Sequence, residues 1–189
     1  FEPLFDVDSS GTPSDQAALD VAKDRFKLER SPRNSFGWRH GYRRDFAAWE
    51  EALLGRDSSP AKGATPVDTV LATLEPYAAD MATLSNDVRR PHSRFDIRYE
   101  NGFTAMLPHL SGLKQAASLF SLRASARLAK GDTEGALRDT VTTIRLAESL
   151  ANEPLLISQL VRVTILQIGV QPFWEGVVDR KWTAAHLAK

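Results

Sequence analysis

Apolar positions recur at helical spacing in long runs over the second half of this chain. Between residues 108 and 130, Leu110, Leu113, Ala117, Phe120, Ala124 and Leu128 share one stripe, and Leu119, Leu122, Ala126 and Ala129 share a second. Gly131 and Asp132 then supply a helix stop followed by an N-cap. The next helix offers Leu137, Val141, Ile144, Ala147 and Ala151 as its apolar series. Asn152 and Pro154 open a third helix, "EPLLISQLVRVTILQIGVQPFW", the most apolar stretch of the chain, which Pro172 is expected to bend or end. The turns between these helices are short, so sequential neighbours should pack antiparallel.

The first half is more broken. Residues 1–13 are acidic and read as an extended lead-in; residues 14–189 read as a single helical domain. Within it, Ser14 caps a first helix carrying Ala18, Val21, Ala22 and Phe26. Pro32, Gly37 and Gly41 interrupt regular structure, after which Phe46, Trp49 and Leu53 return to one helical face ahead of a Gly55 cap. Thr65, Pro66 and Asp68 form a three-part helix start: a cap, a first-turn proline and a capping-box acid. Val67, Val70, Leu71, Leu74, Ala78 and Met81 continue it, with Pro76 expected to kink or split the helix. The N-terminal helices thus occupy 14–87. In residues 88–103, Phe95, Ile97 and Tyr99 alternate with charged residues. A lone strand lacks a partner, so this segment reads as an extended crossover whose aromatic residues pack onto the helices. The remaining helices occupy 104–189.

Composition narrows the class. The chain has 189 residues, 42% hydrophobic, enough for one domain with a sizeable core. With no cysteine there is neither a disulfide scaffold nor a thiolate metal site. A formal net charge of zero argues against wholesale polyanion binding and leaves only local patches. The chain begins at Phe1 rather than Met and reads as a processed or trimmed product, with a membrane anchor upstream compatible with that start.

The segment "LRASARLAKGDTEGALRDTVTTIRLAESL" resembles a tetratricopeptide-type hairpin. Aligned on Gly131, Ala124 and Ala136 take the small positions where the two helices cross, and Phe120 stands in for the early aromatic residue. Arg127, Thr140 and Thr143 depart from the pattern, and Pro154 arrives late. One such hairpin is legible, and one unit does not make a solenoid. More broadly, "YENGFTAMLPHLSGLKQAA", "ARLAKGDTEGALRDT" and "EPLLISQLVRV" resemble a group of uncharacterised helical proteins of planctomycete and verrucomicrobial bacteria. That resemblance implies an all-α fold of antiparallel hairpins in a tetratricopeptide-like right-handed array. It also implies an envelope location through an upstream anchor, with the cytoplasm as the alternative. It implies no activity.

Three sets of residues carry candidate chemistry. Residues 23–44 hold eight Lys and Arg against Asp24 and Glu29, interleaved with Phe36, Trp38 and Tyr42. Basic residues with aromatics can grip phosphates and stack bases. The acidic lead-in (Glu2, Asp6, Asp8, Asp15, Asp20) can neutralise the same patch internally, and that reading is preferred. Trp38, Arg39, Tyr42 and Arg43 are its candidate binding residues. In the crossover, Asp96 and Glu100 share an extended face with Arg98, which suits ion pairing better than two-carboxylate glycosidic chemistry. The histidines His40, His92, His109 and His186 show no metal-ligand spacing, and no nucleotide or nucleophile motif occurs, so neither a metal nor a cofactor is expected.

The third set lies in the apolar helix. Arg162 at its centre would cost about 2.5–3.5 kcal/mol in a membrane span. Gln159, Gln167 and the flanking prolines weigh against a span as well. Ser158 and Arg162 share a narrow polar stripe with Gln159 at its edge, in a helix otherwise apolar nearly all round. Such a helix is expected to be buried at the centre of a bundle, with Arg162 paired to Glu148 or Glu175 or lining an anion-binding groove. The leading function is therefore a non-enzymatic interaction or scaffold domain that holds a protein or peptide partner in an inter-helix groove. The alternative is a small-molecule or glycan-processing domain centred on Arg162 or residues 94–100. A third reading is nucleic-acid binding through residues 23–44.

Overall fold

The computed structural model describes residues 37–54, 60–90, 93–95, 97–100 and 107–188. The lead-in, the expected helix after Ser14, Gly55, His92 and Asp96 lie outside them. The described residues are helical with no strand: a 3-10 turn at Gly37–His40, α1 (Phe46–Leu54), α2 (Pro66–Leu74), a second 3-10 turn at Glu75–Tyr77, α3 (Ala78–Asp87), α4 (Pro108–Lys130), α5 (Thr133–Glu148), α6 (Leu156–Val178) and the one-turn α7 (Ala184–Leu187).

Local chemistry sets most of these bounds. The Thr65 side chain accepts from the Asp68 N–H while the Asp68 carboxylate accepts from the Thr65 N–H, so two orphan donors at the start of α2 are satisfied reciprocally. Pro76 divides the stripe that begins at Val67, and the chain passes through a 3-10 turn before α3. Gly131 closes α4 in the left-handed region at φ 84°, and Asp132 immediately caps α5 through the Gly135 N–H. In the crossover, Phe95 stacks on the His109 ring with centroids 4.3 Å apart. Ile97 is buried, whereas Tyr99 is largely exposed.

The central helix is α4, which packs against α2, α5 and α6. Leu113, Phe120 and Leu122 meet Val70 and Leu74 of α2, Leu146 and Leu150 of the α5 end, and Ile165 of α6 in one core. Sequence had assigned the central place to the apolar stretch 153–174; α6 instead lies at the side of α4 and α5 and leaves much of its apolar surface exposed. Its first helical residue is Leu156, two residues beyond Pro154, and it runs through Pro172 to Val178.

The buried face of α5 also differs from the expected one. Leu137 and Val141 are only half-buried and Ile144 is exposed, whereas Ala136, Asp139, Thr140, Thr143 and Leu146 face the core. The threonines can enter because their hydroxyls donate back to helix carbonyls, Thr140 to Ala136 at 2.8 Å and Thr143 to Asp139 at 3.0 Å, leaving methyl groups to pack. Asp139 can enter because Arg123 grips it through Nε at 2.8 Å and Nη2 at 2.7 Å, and Arg127 Nη1 adds a third bond at 2.8 Å. Asp139→Ala should therefore leave two half-buried guanidinium groups without their acceptor and cost about 3–5 kcal/mol in a urea titration.

The start of α2 is tied to the end of α4 by an Asp68–Lys130 ion pair. The Asp68 carboxyl is held down to about 2, first by its bond to Lys130 and then by its bonds to Thr65. A carboxyl depressed by folding binds fewer protons in the native state. Its contribution is thus complete above the ordinary Asp range and is lost as pH falls toward 2. A carboxyl-carbon NMR titration should place the Asp68 midpoint near 2, and Lys130→Ala should raise it toward the ordinary value of about 3.9, stopping short of it because both Thr65 bonds remain.

Candidate functional site

The most apolar helix, α6, carries two contrasting surfaces. On one side lies a buried polar knot built around Pro172. A proline inside a helix cannot donate to the carbonyl four residues back and displaces its neighbours. The carbonyl so released, that of Ile168, accepts instead from Ser121 Oγ on α4 at 2.9 Å. One residue earlier, the Gln167 carbonyl accepts from the Trp38 indole Nε1 at 3.2 Å.

Gln171 and Glu175, one turn apart and both buried, complete the knot. Gln171 Oε1 accepts from the Trp38 N–H at 2.7 Å, while its Nε2 donates to the Tyr42 carbonyl at 3.2 Å and to Glu175 Oε1 at 2.7 Å. Glu175 Oε1 also accepts from the Arg44 N–H at 2.7 Å. The Arg44 side chain passes into the α4–α6 seam, donating to Ser121 Oγ at 2.8 Å and Ser125 Oγ at 3.2 Å over the face of Trp49. Burial lowers its pKa to about 10, partly offset by the Glu175 charge. The chain can fold back tightly enough for this because the Gly37 Cα approaches the Tyr42 carbonyl; a Cβ there would sit 2.7 Å from that oxygen.

This geometry redistributes the candidate basic patch. Arg43 forms an ion pair with Asp179 just beyond α6. Arg44 is drawn inside. Arg39 lies over the Trp38 ring at 5.6 Å, and Tyr42 is exposed beside His40. Trp38, Arg39, Tyr42 and Arg43 are therefore brought together as a strap across α6. The acidic lead-in expected to neutralise them lies outside the described residues.

The other side of α6 is open. Leu156 is 76% exposed, Leu160 55%, Val163 50% and Val177 50%, with Ile157, Phe173 and Val178 also on the surface. Leu156, Val163, Val170 and Val177 recur every seven residues. Only 33% of the most apolar window of α6 is buried, and by length and composition this helix could cross a membrane. At the edge of the open face, Arg162 Nη1 reaches Gln159 Oε1 at 3.4 Å, and Gln159 Nε2 in turn holds the carbonyls of Leu150 and Glu153. Arg162 Nε and the fully buried Ser158 Oγ have no hydrogen-bond partner among the described residues. The expected pairing of Arg162 with Glu148 or Glu175 is not made; Glu175 is turned toward Gln171 and the strap.

A second polar pair joins the other end of the hairpin. His109 Nε2 and Glu153 Oε1 are 2.8 Å apart and both residues are buried, linking the first turn of α4 to the loop before α6. Glu100 is exposed on the crossover. No group of three or more His, Cys, Asp or Glu side chains converges as a metal site among the described residues. No family model matches the chain, nor does any curated protein or solved structure.

The sequence pattern singles out neither Gln171 nor Asp139, and it gives Glu175, Arg44 and His109 other roles: a partner for Arg162, a member of the basic segment, and a histidine without ligand spacing. For the knot there was a signal: two polar residues one turn apart, flanking a proline in an otherwise apolar helix. Glu175→Ala should leave the Gln171 amide and the Arg44 N–H without their shared acceptor and loosen the strap, costing about 1–3 kcal/mol. Thermal denaturation should show the loss, and amide exchange at Trp38 and Arg44 should accelerate with it.

Proposed function

We propose that this protein is a non-enzymatic interaction domain and that the open face of α6 is its contact surface. The observation that carries the reading is the apolar surface that α6 leaves exposed, at Leu156, Ile157, Leu160 and Val163 in its first turns and at Phe173, Val177 and Val178 near its end. Clustered exposed apolar side chains of this kind mark association sites. The inter-helix groove of the earlier expectation is replaced by a ridge: partners would lie along α6 rather than between helices. In this reading α4, α5 and α6 stack as a tetratricopeptide-like right-handed array. The tight Gly131 turn and the buried small residues Ala124 and Ala136 support that arrangement.

The strap gives the ridge a rigid backing. The Gln171–Glu175 knot fixes one flank of α6 through bonds from the strap backbone, and α4 and α5 hold its inner face, opposite the exposed residues. An interaction helix held in this way loses little further freedom on binding.

A photo-crosslinking amino acid at Leu160, introduced in the full-length protein in its own cells, tests the reading. It should yield a discrete, saturable protein adduct, and the same probe at Arg138 on α5 should not. Val163→Glu should abolish the adduct at Leu160 without changing the circular dichroism spectrum. Equal labelling from both positions, or none from Leu160, contradicts the proposal.

A further inference from the structure

The outer face of α6 is covered along part of its length and open along the rest, and the boundary falls where the strap begins. Trp38 bonds to α6 at the Gln167 carbonyl and at Gln171, Arg44 bonds at Glu175, and Arg43 pairs with Asp179. The strap therefore joins α6 near Gln167 and Gln171 and leaves it at its C-terminal end. Over residues 164–172, beside Trp38, no residue of α6 is exposed. Nearer the start of the helix, on the same face, Leu156 and Leu160 are exposed, with Ile157 and Val163 to either side. We infer that residues 14–36, the stretch of chain that leads into the strap, lie over these first turns of α6 and cover the patch with the apolar side of the helix expected after Ser14. The inference rests on the reading of α6 as a contact face and names an occupant from the same chain, which a partner in trans must displace.

Three observations carry it. The first is position. Leu156, Leu160, Gln167 and Gln171 follow one another at steps of four, seven and four, which keeps them on one side of a helix. The patch thus continues the surface that Trp38 already occupies, and the described residues begin at Gly37, buried next to that tryptophan in the chain.

The second is reach. Leu160 lies seven residues before Gln167, about 10 Å along α6. The eleven residues from Phe26 to Gly37 span up to about 36 Å when extended. Tethered this closely, the segment meets the patch at an effective concentration on the order of millimolar, more than a second copy or another protein supplies at ordinary levels.

The third is chemistry. Ala18, Leu19, Ala22 and Phe26 fall on one side of a helix, with Asp20, Asp24 and Lys27 opposite. The patch itself holds only aliphatic side chains, and Arg162 stands at its edge. An amphipathic helix laid by its apolar side on such a surface is a recurring mode of recognition. Phe26 supplies the large side chain, and the two alanines let the backbones approach.

A photo-crosslinking amino acid at Leu160 of the purified full chain tests the placement. Irradiation should give an adduct of monomer mass that joins the Leu160 peptide to a peptide from residues 14–36, and the same probe at Arg138 should give none there. Phe26→Glu should remove most of this adduct with an unchanged circular dichroism spectrum, whereas Lys27→Glu, on the opposite side, should leave it intact. The chain contains no cysteine, so thiols give a second measurement without background. A short bismaleimide should bridge Phe26→Cys and Leu160→Cys within one chain far faster than Phe26→Cys and Arg138→Cys. An adduct of monomer mass outside residues 14–36, or no adduct, overturns the inference. So does an adduct of twice the monomer mass, which assigns the patch to a second copy. Flotation of the full chain with phosphatidylcholine–phosphatidylglycerol vesicles in place of the internal adduct overturns it as well and assigns the patch to lipid. If the purified chain gives no internal adduct but Leu160 labels another protein in cells, the internal docking fails while the interaction reading stands. An internal adduct with no protein labelled in cells leaves the docking and removes the interaction reading.

Discussion

The carboxylate of Asp139, enclosed by Arg123 and Arg127, is the contact on which the arrangement of the long helices depends. A buried charge tolerates few geometries: the guanidinium fork of Arg123 must meet both oxygens, and Arg127 must arrive one turn later along α4. Meeting those demands fixes the rotation and the axial offset of α5 against α4. With that offset set, Thr140 and Thr143 fall inside, Ile144 falls outside, and α6 is left a seat against both helices. The apolar contacts supply most of the favourable free energy, but they would accept several sliding positions; the ion cluster accepts one.

How far the sequence could be read follows from the range of each interaction. Helix ends determined by neighbours along the chain were legible: the Thr65–Asp68 capping box, the break at Pro76, and the Gly131–Asp132 stop and start all depend on residues within four positions of each other. The inward face of α5 was not. A hydropathy pattern treats Thr and Asp as outward residues, whereas their placement here depends on back-bonding hydroxyls and on arginines 12 and 16 positions away. The status of α6 was misjudged for a related reason. Apolar residues around most of a helix predict burial on all sides, but periodicity cannot tell how many neighbours the remainder of the fold supplies. Among the described residues it supplies α4, α5 and a strap, and leaves one face open.

The candidate residues divide in the same way. Trp38, Arg39, Tyr42 and Arg43 do lie together, yet their arrangement is determined by Gln171, Glu175 and Asp179, which lie more than a hundred positions away. Arg162, Ser158 and Gln159 share an edge of α6, as the wheel implied, but the arginine turns to the neighbouring amide rather than to a carboxylate on another helix.

The strap is held chiefly through its main chain. Gln171 and Glu175 engage the N–H groups of Trp38 and Arg44 and the carbonyl of Tyr42, groups that almost every residue type possesses. Substitution along the strap can therefore alter its outward chemistry while leaving its course unchanged, provided Gly37 and the inward side chains of Trp38 and Arg44 are kept. The same freedom does not extend to α6, where the two polar side chains that read this backbone have no equivalents. The molecule thus separates a surface open to variation from the helix that positions it, and new outward-facing side chains at Arg39 or Tyr42 would be presented from an already rigid frame.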